Sequence, residues 1–296
     1  MVSITQVDVA HFKAAWTALG EITAMDAVTL VALNLLILIA LGARGFMLIR
    51  AMGTAVGFLR WLQVRQLAFL VSISTPGPQF GGEPAQVLAL KQCGVDSSRG
   101  LSITVADKLL DLILNTLLTG ILVVWVLAFG LIELKPLSLD GHEVLSALGL
   151  GAAVVVAMVI ARRQGLFARR EFMSRLENEL DVLKSLDLKV WVRSVAAGIF
   201  ALALMGLEWW FLWSLVVPDA GWQMVLGSWL AARVALWAPV PGAMGVLEAG
   251  VLAATLALGG DWSEGIAVCA LSRARDLGLM ISSAVLSFRE WMGWRG

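Results

Sequence analysis

Pro239-Val-Pro-Gly-Ala-Met-Gly-Val-Leu-Glu248 interrupts an apolar stretch that runs from 223 to 258, and Ser74-Thr-Pro-Gly-Pro-Gln-Phe-Gly-Gly-Glu83 interrupts another from 67 to 93. Proline removes a helical N–H and glycine tolerates a turn, so each stretch predicts two short helices around a break. Pro76 and Gly77 mark the first break; Pro241, Gly242 and Gly245 mark the second. The two segments are copies of one another. Residues 76–112 and 241–277 align without a gap at an offset of 165, with ten identities in 37 columns. Among them are Pro76/Pro241, Gly77/Gly242, Glu83/Glu248, Gly94/Gly259, Asp96/Asp261 and Asp111/Asp276, and Lys108 falls on Arg273. Average residue usage gives about two or three by chance. Internal duplication in an apolar chain is a mark of transporters.

The whole composition agrees with a membrane setting. A chain that is 59% hydrophobic and 15% charged over 296 residues has too much apolar surface for a water-soluble fold, which averages near half apolar and a quarter charged. Formal net charge is zero, which gives no electrostatic reason to expect nucleic acid. Cys93 and Cys269, with only His11 and His142 beside them, make no metal site, and no cofactor is expected. With thirteen Trp and no Tyr, any interfacial aromatic belt is built from Trp, and Trp209, Trp210, Trp213 and Trp222 cluster where one would lie. The N-terminus has no basic region followed by an apolar run and a cleavage site, so no signal peptide is expected.

Apolar runs at 27–43, 109–132, 144–161, 191–217 and 266–288 each approach or exceed the roughly 20 residues a helix needs to cross a bilayer. Basic residues then set the direction. Residues 44–65 hold four Arg and no acid, 162–193 hold eight Lys or Arg, and 289–295 hold two Arg, whereas 133–143 and 259–264 are mainly acidic. Placing the basic segments in the cytoplasm puts the N-terminus outside and the C-terminus inside a plasma membrane. On that threading each broken segment starts and ends on one side, so both read as re-entrant hairpins entering from opposite faces. The expectation is an all-α integral membrane protein of about five full spans plus two re-entrant broken-helix hairpins, in an inverted-topology repeat. Its parts are an interfacial segment at 1–26, a first repeat at 27–132, a connecting span and amphipathic cytoplasmic helix at 133–190, a second, inverted repeat at 191–288, and a tail at 289–296.

Two broken helices imply a cavity at the midplane, because unpaired backbone groups are tolerated in a bilayer only inside protein or against water. Glu83 and Glu248 lie six residues beyond Gly77 and Gly242, in the first turns of the half-helices. They either cap those helices or face a polar substrate or proton path. Lys108 with Asp111, and Arg273 with Asp276, are spaced i, i+3 and share a helix face, where each pair is able to neutralise itself. A charge at a helix centre costs roughly 2.5–3.5 kcal/mol on insertion scales, so such residues need a reason to be there. Arg233 aligns with Ala68 and has two readings: a phosphate ligand, or a partner of Glu248 or Glu208. The four repeated carboxylates exceed Lys108 and Arg273 by two charges, which leans toward a cationic substrate group or proton coupling.

In these motifs the chain resembles the membrane domain of the lysylphosphatidylglycerol synthase, or flippase-like, family. The pattern is a Pro-Gly loop followed by Gly-Glu and then a basic residue and Asp, here Pro76, Gly77, Gly82, Glu83, Lys108 and Asp111. Later comes Pro-x-Pro-Gly-x-x-Gly-x-x-Glu followed by Arg and Asp, here Pro239, Pro241, Gly242, Gly245, Glu248, Arg273 and Asp276. The first motif departs from the pattern, with Phe80 and Gly81 where an Arg precedes Gly-Glu, and Lys108 where Arg is more usual. The resemblance implies movement of a lipid with a polar headgroup between leaflets, without the soluble aminoacylating domain. A flippase, rather than an enzyme, is therefore expected, with membrane lipid as substrate. A homo-oligomer or a membrane transferase is an expected partner. The alternatives are a proton-coupled secondary transporter of a small solute and a non-transporting protein that presents lipid to such a transferase.

Overall fold

The computed structural model describes residues 9–75, 81–129, 178–179, 181–238 and 240–293. Among these the regular structure is all helical: nine α-helices and one 3-10 turn are bounded within them, and 178–179 and 181–184 are helical as well. Pro76, Gly77 and Pro239, the expected span at 144–161 and most of the connecting helix at 162–190 lie outside the described residues. Helix α1 (Val9–Gly20) leads into α2 (Ala24–Ala51), which opens on a reciprocal cap: Thr23 Oγ1 accepts the Asp26 N–H at 3.2 Å, and the Asp26 carboxylate accepts the Thr23 N–H at 2.9 Å. Helix α3 (Phe58–Ser74) stops at Thr75, which is extended (φ −98°, ψ 141°), as the residue before a proline tends to be. After the break come α4 (Glu83–Gln92) and α5 (Ser97–Ala128), joined through Gly94 at φ 81°.

The same series then recurs. Helix α6 (Leu188–Val216) is followed by α7 (Trp222–Ala235), the 3-10 turn Pro241–Ala243, α8 (Val246–Ala257) and α9 (Trp262–Gly293). Helices α5 and α9 are both 32 residues long and begin 165 residues apart. The glycines that end α4 and α8, Gly94 and Gly259, share that offset, and both take positive φ, 81° and 86°. The duplication therefore reaches beyond the 37 aligned columns to a whole four-helix unit. In the second break Gly242 sits at φ 57° and Gly245 at φ 81°, conformations that suit glycine and explain the motif's composition. In the first, a Cβ on Gly82 would collide with the carbonyl of Ala68, so glycine is what lets the break close against α3.

Packing exchanges partners between the copies. Helices α2 and α6 lie along one another, α3 packs on α9, and α7 packs on α5, so each broken segment rests on the last helix of the other unit. The end of α3 meets the second break, where Ile73 lies beside Gly242. Two apolar cores form, one around the fully buried Trp61 and one around Trp213, and each draws on both copies: Trp191 and Val195 of α6 pack against the first, and Leu118 and Leu122 of α5 join the second. Outward faces are also apolar: Leu35, Leu36 and Ile39 on α2, Leu117, Ile121 and Val124 on α5, and Ile199 and Phe200 on α6 are exposed. Surface of that kind over three helices belongs in lipid rather than water. Helices α2, α5 and α6 are long and apolar enough to cross a membrane. Helix α9 matches α5 in length but carries Arg273, Arg275 and Asp276.

Two expectations change. Trp209 and Trp213 are buried, both donating an indole N–H to Ser228 Oγ (3.1 and 2.8 Å), so only Trp210 and Trp222 of the four face outward. Their packing role outweighs a belt because a buried indole N–H needs an acceptor and Ser228 supplies one. Of the four Arg in 44–65, Arg44 and Arg65 turn inward to carboxylates, which leaves Arg50 and Arg60 as candidate orienting charges.

Candidate functional site

Ion pairs line the space where the two broken segments and the two long helices α5 and α9 come together. On the first side Glu83, the opening residue of α4, meets Lys108 of α5, with Oε1 3.0 Å from Nζ, and each side chain is about a quarter exposed at 25%. Glu83 Oε2 is buried without a hydrogen-bond partner among the described residues. Asp111 does not pair with Lys108 as its spacing suggests. It turns instead to Arg44 of α2, 2.7 Å away, while the same guanidinium bonds Asp107 at 2.9 Å through Nε. Arg65 of α3 closes the group on the other oxygen of Asp107 and lies over the Trp61 ring. Arg44 and Asp107 are deeply buried, so this cluster is a fixed part of the fold.

On the second side, Arg273 of α9 gathers several partners. Its Nε donates to Glu248 Oε1 at 2.5 Å and its Nη1 to Asp276 at 3.3 Å, so the i, i+3 pair expected from spacing forms here. The remaining fork reaches backbone: Nη1 donates to the Gly242 carbonyl at 3.0 Å and Nη2 to that of Ala243 at 3.4 Å. Arg273 thus clamps the second break by the orphan carbonyls that the break exposes. Glu248 holds both roles open in its sequence reading. Its Oε2 accepts the Gly245 N–H at 2.8 Å, capping α8, while Oε1 faces Arg273. Beside it, Arg275 bonds Asp276 at 2.8 Å and Glu208 of α6 at 3.2 Å, and Asn34 of α2 donates to the other Glu208 oxygen at 2.7 Å.

Arg233 of α7 pairs with neither Glu248 nor Glu208. Its Nη1 donates to Asn115 Oδ1 of α5 at 2.8 Å, and its guanidinium lies 5.2 Å from the centre of the Trp229 ring. Pro241, Gly242 and Gly245 form the second break itself. The charged belt thus has three parts: Glu83 with Lys108 beside the first break, Asp111 and Arg233 meeting through Asn115, and Glu248, Arg273 and Asp276 at the second break. The sequence reading missed Arg44, Arg65, Asp107, Asn34 and Asn115, and it named Glu208 as a partner of Arg233 where the structure pairs it with Arg275. Counting the pairs, Arg44, Arg65, Lys108, Arg233, Arg273 and Arg275 balance Glu83, Asp107, Asp111, Glu208, Glu248 and Asp276, six against six. The acidic excess of the repeated set disappears, and with it the lean toward a cationic substrate.

A belt of paired charges at the seam of two apolar units is expensive unless used, since each ion must be desolvated and only good geometry repays it. A search of curated proteins and a search of solved structures each found no match. The family described as the lysylphosphatidylglycerol synthase TM region matches residues 1–283, and the chain belongs to that family.

Proposed function

We propose that this integral membrane protein moves a lipid with a polar headgroup between leaflets, the headgroup passing along the charged belt while its acyl chains stay in the bilayer. The observation that carries the reading is that each broken segment carries an ion pair to its following long helix, Glu83–Lys108 and Glu248–Arg273, inside helices whose outer faces are apolar. Such a belt offers a headgroup the hydrogen bonds and charges that hydrocarbon denies it. Family membership supports a lipid as cargo, because the family is named for the membrane region of enzymes that make a modified phospholipid.

In this reading the two four-helix units sit in the membrane with opposite topology. The breaks enter as re-entrant hairpins from opposite faces, and the C-terminus is cytoplasmic at the plasma membrane. The units are 27–132 and 191–288, joined through 133–190. Helix α1, with Val9, Phe12 and Trp16 exposed on one side, lies in the outer interface. The protein works as a transporter rather than as an enzyme. A second copy or a membrane transferase is its partner. One observation favours a second reading, proton-coupled transport of a small solute: Glu83 Oε2 is buried and has no hydrogen-bond partner among the described residues.

Leaflet exchange in proteoliposomes separates the two. With headgroup-labelled anionic, zwitterionic and aminoacylated lipids, wild type is expected to exchange lipids selectively by headgroup, and the Glu83→Gln/Glu248→Gln double variant to lose that exchange. No exchange of any lipid by folded protein would contradict lipid transport and leave solute transport standing.

A further inference from the structure

Among the described residues of the belt, Arg233 is the cation with no carboxylate at ion-pairing distance. A guanidinium has five N–H donors. Two are engaged, one by Asn115 Oδ1 at 2.8 Å and one by the weak acceptor Met205 Sδ at 3.2 Å, which leaves three without an acceptor among the described residues. The side chain is nevertheless held. Trp229 supports one face of the guanidinium, and Asn115 is itself fixed because its Nδ2 donates to the Asp111 carbonyl at 2.8 Å. An aromatic face and an amide orient the fork but do not neutralise it.

Position adds to chemistry. Arg233 lies in the last turn of α7, the helix that leads into the second break, and Asn115 lies one turn beyond Asp111 on α5. Its counterpart in the first unit is Ala68, so the feature belongs to one copy only and is not part of the repeated framework. A planar fork with spare parallel donors, set in a belt that is otherwise paired, matches the oxygens of a phosphate group.

We propose that Arg233 is the receptor for a phosphate group on the transported molecule, with Trp229 and Asn115 as its positioning residues. The lipid as source of that phosphate rests on the function proposed above; free inorganic phosphate presents the same oxygens. The test is thermal unfolding of the full chain in detergent, titrated with a short-chain phosphatidylglycerol, with a diacylglycerol of the same chains, and with inorganic phosphate. Phosphatidylglycerol is expected to stabilise wild type and the diacylglycerol is not. Arg233→Gln is expected to weaken phosphatidylglycerol binding by about tenfold or more, and Arg233→Lys, which keeps charge but loses the fork, by less. The lysine variant also serves if the glutamine one fails to fold.

Equal binding of phosphatidylglycerol and diacylglycerol, binding of neither phosphate compound, or unaltered affinity in both variants would overturn the receptor. Inorganic phosphate binding as tightly as phosphatidylglycerol, and lost in Arg233→Gln, would keep the receptor but overturn the lipid as its source. Arg233-dependent binding of phosphatidylglycerol without leaflet exchange would likewise keep the receptor and count against transport.

Discussion

In the first unit the cation is on the leading long helix, Arg44 of α2, and the carboxylates Asp107 and Asp111 are on the closing one, α5. In the second unit the signs are exchanged: Glu208 is on α6 and Arg275 on α9. Arg44 and Glu208 lie 164 residues apart, at nearly the offset that relates the helices themselves. The two copies share a backbone and the Glu–cation pair beside each break, while the ion pairs between their long helices run in opposite senses. The framework is therefore set by helix lengths, breaks and glycine turns, and the charges between the long helices are a separate layer that each copy has filled in its own way. The breaks differ in the same spirit. Arg273 clamps the second through Glu248 and two carbonyls, whereas Lys108, a point charge without a fork, meets Glu83.

Arg44→Ala tests the comparison hardest. It strands half of the pairing of the buried Asp107 and leaves the partly exposed Asp111 without Arg44, and removing one partner of such a cluster costs on the order of 3–5 kcal/mol. Thermal unfolding in detergent should show it; a change within about 0.5 kcal/mol would place the cluster at the surface. Arg273→Ala comes next, at about 2–3 kcal/mol, because the residue is about a quarter exposed (24%) but holds four acceptors, and Lys108→Ala should cost less than half as much. Equal losses would remove the asymmetry between the breaks. Arg273→Ala should also depress leaflet exchange far more than Arg99→Ala, whose partner Glu179 lies outside the belt and whose side chain is 38% exposed.

Reversing the second unit's pair, Glu208→Arg with Arg275→Glu, would give it the sign pattern of the first. The double variant is expected to recover about 1–2 kcal/mol relative to the sum of the single changes, measured as a coupling energy. Absence of coupling would mean that the 3.2 Å contact carries little. The smallest effect expected is that of Lys108→Arg, which supplies the missing fork to the first break. It should raise stability by about 0.5–1 kcal/mol and slow exchange. Faster exchange would show that the first break is not the looser of the two.

Much of this framework could be read from the chain. Pro76-Gly77 and Pro241-Gly242 located both breaks, and the offset of 165 anticipated the matching glycine turns at Gly94 and Gly259. The same columns brought Glu83, Lys108, Glu248 and Arg273 forward together, but spacing within one helix pointed Lys108 to Asp111, whereas it pairs across helices with Glu83, as Arg273 does with Glu248. What the columns could not show is the contribution of helices that carry little sequence identity. Arg44 was assigned to a basic loop because it sits just past the apolar run 27–43, yet α2 continues through Ala51 and carries it inside. Glu208 had a signal of its own, a lone carboxylate in an apolar run of 27 residues (191–217), where a charge is costly enough to imply a partner. Its partner's identity was not legible, because charge exchange between copies removes the very identity that alignment detects. Asp107 lies beside Lys108 but falls on Ser272, and it stayed hidden for that reason.

The central claim is that cargo passes between the two broken segments, which touch where Ile73 near the end of α3 lies beside Gly242. The most direct measurement joins those two positions and reads leaflet exchange. Ile73→Cys and Gly242→Cys are introduced with the free Cys93 and Cys269 replaced by Ala, accepting about 1–2 kcal/mol of backbone strain at the positive φ of Gly242. Lipid exchange should proceed in the reduced protein, stop when the disulfide forms and return when it is reduced. Undiminished exchange from fully cross-linked protein would contradict a path between the breaks.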